Sequence, residues 1–172
     1  MKQKTVLITG GARGIGRAIA LELAAEQYQI VINYLHSSLE AEELQNEISS
    51  RYGVSCMAIQ ADVSSEDEVE QMFSEIDQKF GGTDVLINNA AVDLSNLFHL
   101  KTAEEFRRTT DVNVNSAFIC AKRAALHMKE AGWGRILNIS STNGMNTYYP
   151  MCIDYDASKA ALNSLTHDLA MQ

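Results

Sequence analysis

Residues 5–16 read Thr5-Val6-Leu7-Ile8-Thr9-Gly10-Gly11-Ala12-Arg13-Gly14-Ile15-Gly16. A short aliphatic and β-branched run, the composition of a buried strand, passes straight into a glycine cluster. Apolar residues three and four apart then follow at Ile15, Ile19 and Leu23, the spacing of a helix. A strand that turns on glycines into a helix brings its backbone close to whatever lies above the turn. The helix start offers unpaired N–H groups and a partial positive charge, which together suit a pyrophosphate. The spacing is TGxxxGxG rather than strict GxGxxG, and a tight strand-to-helix turn also uses glycine for its own sake. What decides between these readings is the setting of the turn in the chain.

Further strand-like runs occur at residues 29–34, 54–60, 84–88 and 135–140. Each is nearly continuous in apolar residues, as in strands covered on both faces. Helical patterns separate them: Leu39 to Ile48, then Val69, Phe73 and Ile76, then one long helix over residues 103–131, and a last one from about Asp154. Ser65 with Glu68 has the spacing of a capping box, and Gly132 sits where a helix would end. This alternation predicts an α/β fold: a Rossmann-like, doubly wound parallel sheet in three α/β/α layers. The glycine turn is then the first βα turn of that sheet, which makes Gly10, Gly11, Ala12, Arg13, Gly14, Ile15 and Gly16 candidate dinucleotide-binding residues.

Composition agrees with that class. At 172 residues, against roughly 150 per domain, one domain over residues 1–172 is expected. Hydrophobic residues make up 46% and charged residues 21%, with one proline, so collagen-like and proline-rich disordered classes are excluded. No apolar run approaches the ~20 residues of a membrane helix, and the N-terminus has no signal-peptide core, so the chain reads as cytoplasmic with no membrane partner. The net charge of −8 is concentrated: eleven acids but only one base, Arg51, fall within residues 40–77. Such a field repels phosphate backbones and argues against nucleic acid, and it is most simply the solvated face of two helices. Cys56, Cys120 and Cys152 are odd in number and widely spaced, which suggests neither a disulfide framework nor a metal site.

Cofactor choice can be argued at the end of the second strand. An NAD site wants a carboxylate there for the ribose 2′-hydroxyl. The sequence instead reads Asn33-Tyr34-Leu35-His36-Ser37-Ser38, with no acid before Glu40. Arg13 inside the glycine turn could meet a 2′-phosphate, helped by His36 and Ser37, the alternative being a solvated surface arginine. The expectation is NADP(H).

Tyr155 and Lys159 stand four apart, on one face of the last helix. Six tyrosines in a chain of this size give about a quarter of such a pair by chance, so spacing alone is poor evidence. The chemistry is better: a nearby ammonium favours the phenolate, and a tuned phenol can exchange a proton with a carbonyl or alcohol oxygen. Ser140 and Ser141 end the fifth strand at the carboxyl edge of the sheet, where a hydroxyl could support a developing alkoxide. Asn113 and Asn115 lie within the long helix, where asparagine is a mediocre former, and a solvated face explains at least one of them.

With these residues in order, the chain resembles the short-chain dehydrogenase/reductase family, and within it the NADPH-dependent 3-oxoacyl-[acyl-carrier-protein] reductases. The resemblance rests on Thr9-Gly10 with Gly14-Ile15-Gly16, Asp62-Val63, Asn88-Asn89-Ala90, Asn113, Ser141, and Tyr155 with Lys159. It implies that Tyr155 is the proton donor, that Lys159 holds the nicotinamide ribose and lowers the phenol pKa, that Ser141 orients the substrate oxygen, and that Asn113 supports a water-mediated proton path. Asp62 and Val63 would contact the adenine, and Asn89 and Ala90 would border the cofactor. No metal is implied. A homo-oligomer, dimer or tetramer, is implied, with the long helix and the last helix packed against a neighbouring subunit.

Two departures stand out. Ala91 replaces the glycine that usually follows Asn-Asn-Ala, which is tolerable if the backbone there does not need a positive φ. The family's pattern also continues beyond the last helix, whereas this sequence stops at Gln172, so the expectation is a domain incomplete at its C-terminal end. The expected activity is interconversion of a carbonyl and a secondary alcohol, with reduction of a 3-oxoacyl thioester as the leading substrate. An acyl carrier protein would need a basic landing patch, for which Lys101, Arg107, Arg108, Lys122, Arg123, Lys129 and Arg135 are candidates, equally well read as ordinary polar helix faces. The polar segment 142–154, with Tyr148 and Tyr149, would suit a sugar or polyol instead. A third reading, of another class, is a catalytically incompetent nucleotide-binding or interaction fragment.

Overall fold

The computed structural model of the chain describes residues 3–172. Five strands, β1 (Thr5–Ile8), β2 (Gln29–Tyr34), β3 (Cys56–Gln60), β4 (Val85–Asn88) and β5 (Arg135–Asn138), form one sheet in the order β3-β2-β1-β4-β5. Every pairing is parallel. Helices α1 (Gly14–Ala25), α2 (Ser38–Tyr52) and α3 (Glu66–Phe80) connect the first four strands. Between β4 and β5 run α4 (Ala103–Thr110), a π-helical turn (Asp111–Asn115) and α5 (Ser116–Ala131), and α6 (Ile153–Leu169) follows β5.

The pleat divides the strand residues into two cores. Val6, Ile8, Ile30, Ile32, Val85 and Ile87 meet Ala20, Ala24, Ala41, Leu44 and Ile48 of α1 and α2. Leu7, Val31 and Leu86, one residue out of step, meet Val69, Met72, Phe73, Ile76, Cys120 and Ala124 of α3 and α5 on the other face. Burial on both sides explains the unbroken apolar runs, and each such Leu, Ile or Phe contributes roughly 1.5–3 kcal/mol. Helix ends follow local chemistry. Thr102 and Glu105 form a complete capping box at the start of α4, and Gly132 closes α5 in the left-handed conformation. At α3 the Ser65 hydroxyl accepts from Glu68 N–H, but the Glu68 carboxylate turns to Asp62 N–H, so that box is half formed.

Chain order reverses between β1 and β4: β1 is followed outward by β2, whereas β4 leads outward to β5. The carboxyl ends of β1 and β4 therefore flank a crevice, the place where open parallel sheets bind ligands. No helix among the described residues is long and apolar enough to cross a membrane.

Candidate functional site

A cleft of about 380 Å³ opens at this crevice. Its walls are the glycine turn, residues 33–37 at the end of β2, residues 61–63 after β3, and residues 89–92 after β4. Side chains hold the turn together with backbone bonds from Thr9 N–H to Ile87 O and from Gly11 N–H to Asn33 O. Thr9 Oγ1 accepts from the N–H groups of Asn89 and Ala90, both at 3.0 Å. Asn89 Nδ2 returns two bonds, to the carbonyls of Thr9 at 2.9 Å and Gly10 at 3.0 Å. On the other side Asn33 Oδ1 accepts from Gly10 N–H, while Asn33 Nδ2 donates to Ala61 O, tying the turn to β2 and to the end of β3.

Gly10 has φ +59°, and a Cβ there would lie 3.0 Å from Ala90 Cα, so any side chain would be strained in backbone and in contact. Gly14 has φ +55° and open space where a Cβ would point. Arg13 caps α1 without a side-chain hydrogen bond, and the first turn of that helix carries no acid. The first N–H groups and the positive end of α1 thus face the cleft with no protein anion to satisfy them, which fits a pyrophosphate.

Arg13, His36 and Ser37 all line the same cleft. Among the described residues Arg13 forms no ion pair, whereas its neighbour Arg17 is paired with Glu47 at 2.5 Å. Ser37 precedes α2 without a side-chain capping bond, leaving its hydroxyl available. Asp62 and Val63 lie across the cleft. The Asp62 carboxylate accepts from Ser64 N–H and Oγ and pairs with Arg108 at 3.2 Å. Burial raises the pKa of this carboxyl, but the Ser64 bonds and the Arg108 charge outweigh that and hold it below the usual range. Ala91 takes the place of glycine without strain, since Gln27 is the one non-glycine residue with positive φ among those described.

At the other end of the crevice the long helix expected over residues 103–131 is interrupted. The π-helical turn holds Asn113, which is buried, while Asn115 is exposed and bonds Asp111. Asn113 Oδ1 accepts from Val92 N–H at 2.8 Å; its Nδ2 donates to Val92 O and to Ser158 Oγ, both at 2.9 Å. An inserted residue of this kind shifts the side-chain register of a helix, and such turns are frequent at functional sites. Asn113 thereby bolts the segment after β4 to α6, one residue before Lys159.

Lys159 is 2% exposed, and its ammonium donates to Ile139 O at 2.7 Å, just beyond β5. It lies 5.6 Å from the centroid of the Tyr155 ring. Burial depresses the lysine pKa from 10.5 to about 8. Ser141 caps the short 3₁₀ turn Thr142–Gly144, its hydroxyl accepting from Asn143 N–H at 3.2 Å. Tyr155, half-buried, stands on the first turn of α6. Asn113 and Lys159 are thus tied, through Ser158 and Ile139, to the carboxyl edge of β4 and β5 with Tyr155 beside Lys159, whereas among the described residues the hydroxyls of Tyr155 and Ser141 bond to neither.

The basic patch is largely consumed. Lys101 is buried against Asp154, Arg108 pairs with Asp62, Arg107 with Glu104, and Arg123 with Glu70 and Asp77. Among the described residues Lys122, Lys129 and Arg135 remain outside ion pairs. Two residues of structural weight at the site, Asn33 and Thr109, were not singled out by sequence reasoning. Asn33 carried a readable signal, a polar residue near the end of a buried strand; Thr109 carried none.

A short chain dehydrogenase family model matches residues 4–172. The chain is 39% identical over 169 residues to a 3-oxoacyl-[acyl-carrier-protein] reductase of Staphylococcus aureus, covering 98% of this chain and 68% of the relative. It is 36% identical, with the same coverage, to a 3-oxoacyl-[acyl-carrier-protein] reductase of Synechocystis. It is 38% identical over 175 residues to a short-chain dehydrogenase/reductase of Armillaria gallica, covering 65% of that protein.

Proposed function

The chain belongs to the short-chain dehydrogenase family, and on that footing we propose that it is an NADP(H)-dependent oxidoreductase that interconverts a carbonyl and a secondary alcohol, with a 3-oxoacyl thioester as substrate. The observation that carries this reading is the buried ammonium of Lys159, held by Ile139 O beside the Tyr155 ring. The arrangement sets a fixed cation beside the phenol proposed to exchange a proton with the substrate oxygen.

When bound, the nicotinamide supplies a hydride to the carbonyl carbon or accepts one from the alcohol. Tyr155 gives its hydroxyl proton to the substrate oxygen in the reductive direction. Lys159 donates to the nicotinamide ribose and supports the phenolate left behind. Ser141 donates a hydrogen bond to the same substrate oxygen, an interaction that strengthens as negative charge develops there. Asn113, through Ser158 and Val92, fixes the helix that carries Tyr155 and so supports the water-mediated route by which the phenol regains its proton.

Gly10, Gly11, Ala12, Gly14, Ile15 and Gly16 cradle the pyrophosphate at the α1 N-terminus. Arg13, with His36 and Ser37, binds the 2′-phosphate by charge-assisted bonds. Asp62 and Val63 would contact the adenine, and Asn89 and Ala90 would border the cofactor. Acyl carrier protein is a candidate partner because the relatives are 3-oxoacyl-[acyl-carrier-protein] reductases. Its docking would depend on Lys122, Lys129 and Arg135, the patch residues outside ion pairs. Exposed Phe106 and Phe118, 41% and 47% accessible, fit self-association through α4 and α5.

One observation favours a polyol instead. A groove over α6, about 530 Å³ in volume, carries Asn143, Asn146, Thr147, Tyr149 and Asp156, which could meet hydroxyls, on a wall otherwise made of apolar residues such as Met145, Pro150 and Ile153. The experiment follows NADPH absorbance with an acetoacetyl thioester, and NADP⁺ reduction with a panel of polyols, for the wild type and Tyr155→Phe. Thioester-dependent NADPH consumption that disappears in Tyr155→Phe is expected. Polyol oxidation without thioester reduction would transfer the assignment. Turnover undiminished in Tyr155→Phe would remove the proton-donor role.

A further inference from the structure

Asp154, immediately before Tyr155, is fully buried. Its Oδ2 pairs with Lys101 Nζ at 2.9 Å and accepts from Thr109 Oγ1 at 2.7 Å. The Lys101 ammonium also donates to Leu94 O, and its side chain is 5% exposed. One small cluster thus joins the segment after β4, helix α4 and the first turn of α6. Partners 53 residues apart in sequence meet at the residue next to the phenol.

Stability alone is a poor account of this arrangement. A buried ion pair gains little over a well-packed apolar pair, because desolvation offsets most of the attraction. Here the pair is not even fully satisfied: Asp154 Oδ1 is buried with no hydrogen-bond partner. Local chemistry does not hold the start of α6 either, since its N-cap, Cys152, provides no side-chain cap. The helix start depends on tertiary ties. Asn143 Nδ2 donates to Asp156 at 2.7 Å from the 3₁₀ turn, and Ser95 Oγ meets Cys152 Sγ at 3.2 Å from the segment after β4. Three further ties come from that same segment. Asn96 N–H donates to Met151 O at 3.0 Å, Lys101 spans Leu94 and Asp154, and Asn113 spans Val92 and Ser158. Tyr155 lies between the last two of these.

We propose that Lys101 and Asp154 are positioning residues for the reaction, their buried pair setting the place of the Tyr155 hydroxyl by pinning the first turn of α6 to the segment after β4. The inference rests on the reductase reading given above for its kinetic consequence, and on geometry alone for its structural one. A misplacement of about 1 Å at a reacting group can cost about a hundredfold in rate. The residues proposed for the pyrophosphate and the 2′-phosphate line the cleft, to which neither Lys101 nor Asp154 contributes, so nucleotide affinity is spared.

The test uses Lys101→Met, Asp154→Asn, the conservative Lys101→Arg, and the apolar pair Lys101→Met/Asp154→Leu, all studied well below their unfolding transitions. The expected result is a fall of about tenfold to a hundredfold in kcat for both single variants, with NADPH affinity and substrate KM within about twofold. Lys101→Arg restores kcat, whereas the apolar pair restores Tm without restoring kcat. Carbon-13 tyrosine NMR provides a readout that needs no turnover. The Tyr155 signal, identified by its loss in Tyr155→Phe, moves in Lys101→Met, while those of Tyr28, Tyr34 and Tyr52 stay in place. Recovery of kcat together with Tm in the apolar pair, or a Tyr155 signal unmoved in Lys101→Met, would overturn the proposal. If the wild type shows no turnover, or Tyr155→Phe retains it, the reductase reading fails separately, and the NMR signal still decides whether the pair positions Tyr155.

Discussion

Replacing Lys159 with methionine should make the cofactor-free chain more stable near neutral pH. The folded chain holds this lysine at a pKa of about 8 instead of 10.5 because burial penalises its charge. That depression corresponds to about 3 kcal/mol at roughly 1.4 kcal/mol per pH unit. Partial solvent screening, and the bond to Ile139 O that methionine cannot make, together reduce the gain to about 2 kcal/mol. The sign with pH follows from proton binding. Between about pH 8 and 10.5 the unfolded chain holds the proton that the folded chain has released, so wild-type stability rises through that window relative to the variant. Below pH 8 the penalty is fully present; above 10.5 it is gone. Urea unfolding of both proteins across this range should show the variant ahead near neutral pH, with its lead shrinking as pH rises. A variant less stable than wild type near neutrality, or a gap that does not change with pH, would refute the reasoning.

Asn113→Leu should destabilise the chain by about 3 kcal/mol, because Val92 N–H, Val92 O and Ser158 Oγ each lose their buried partner; urea unfolding measures it, and a loss below about 1 kcal/mol would show that the π-helical turn stands without the asparagine. Burial raises the pKa of Cys56 and Cys120 from 9.0 to about 12, so iodoacetamide at about pH 8 should spare both until urea is added, as peptide mass spectrometry would report. Labelling of either at the rate of a free thiol under native conditions would contradict this.

Much of the architecture was legible because both faces of the sheet are covered: runs such as Val6-Leu7-Ile8 admit few other settings. The glycine turn could be placed at the crevice once the strand alternation was read, and the acid-free end of β2 was visible directly. The long helix was legible as helical but not as interrupted. Asparagine at 113 signalled a local reason, yet that reason is a set of bonds to Val92 and Ser158, 21 and 45 residues distant. The same limit explains the basic patch. Lys101, Arg108 and Arg123 look like free cations in sequence because their acids lie 46 to 53 residues away and arrive only with the fold. Local spacing found half of one capping box at Ser65 and passed over the complete one at Thr102, since reciprocity depends on where the glutamate side chain turns.

The most direct test of the account is a calorimetric titration of the chain with NADPH and with NADH, repeated on Arg13→Ala. The structure places an uncompensated arginine and a helix N-terminus, with no carboxylate at the end of β2, in one cleft. The account therefore predicts NADPH binding at least about tenfold tighter than NADH, a difference of about 1.4 kcal/mol that Arg13→Ala largely removes. Equal affinity for the two nucleotides, or a preference untouched by Arg13→Ala, would contradict the 2′-phosphate assignment; binding of neither would contradict the cofactor site itself.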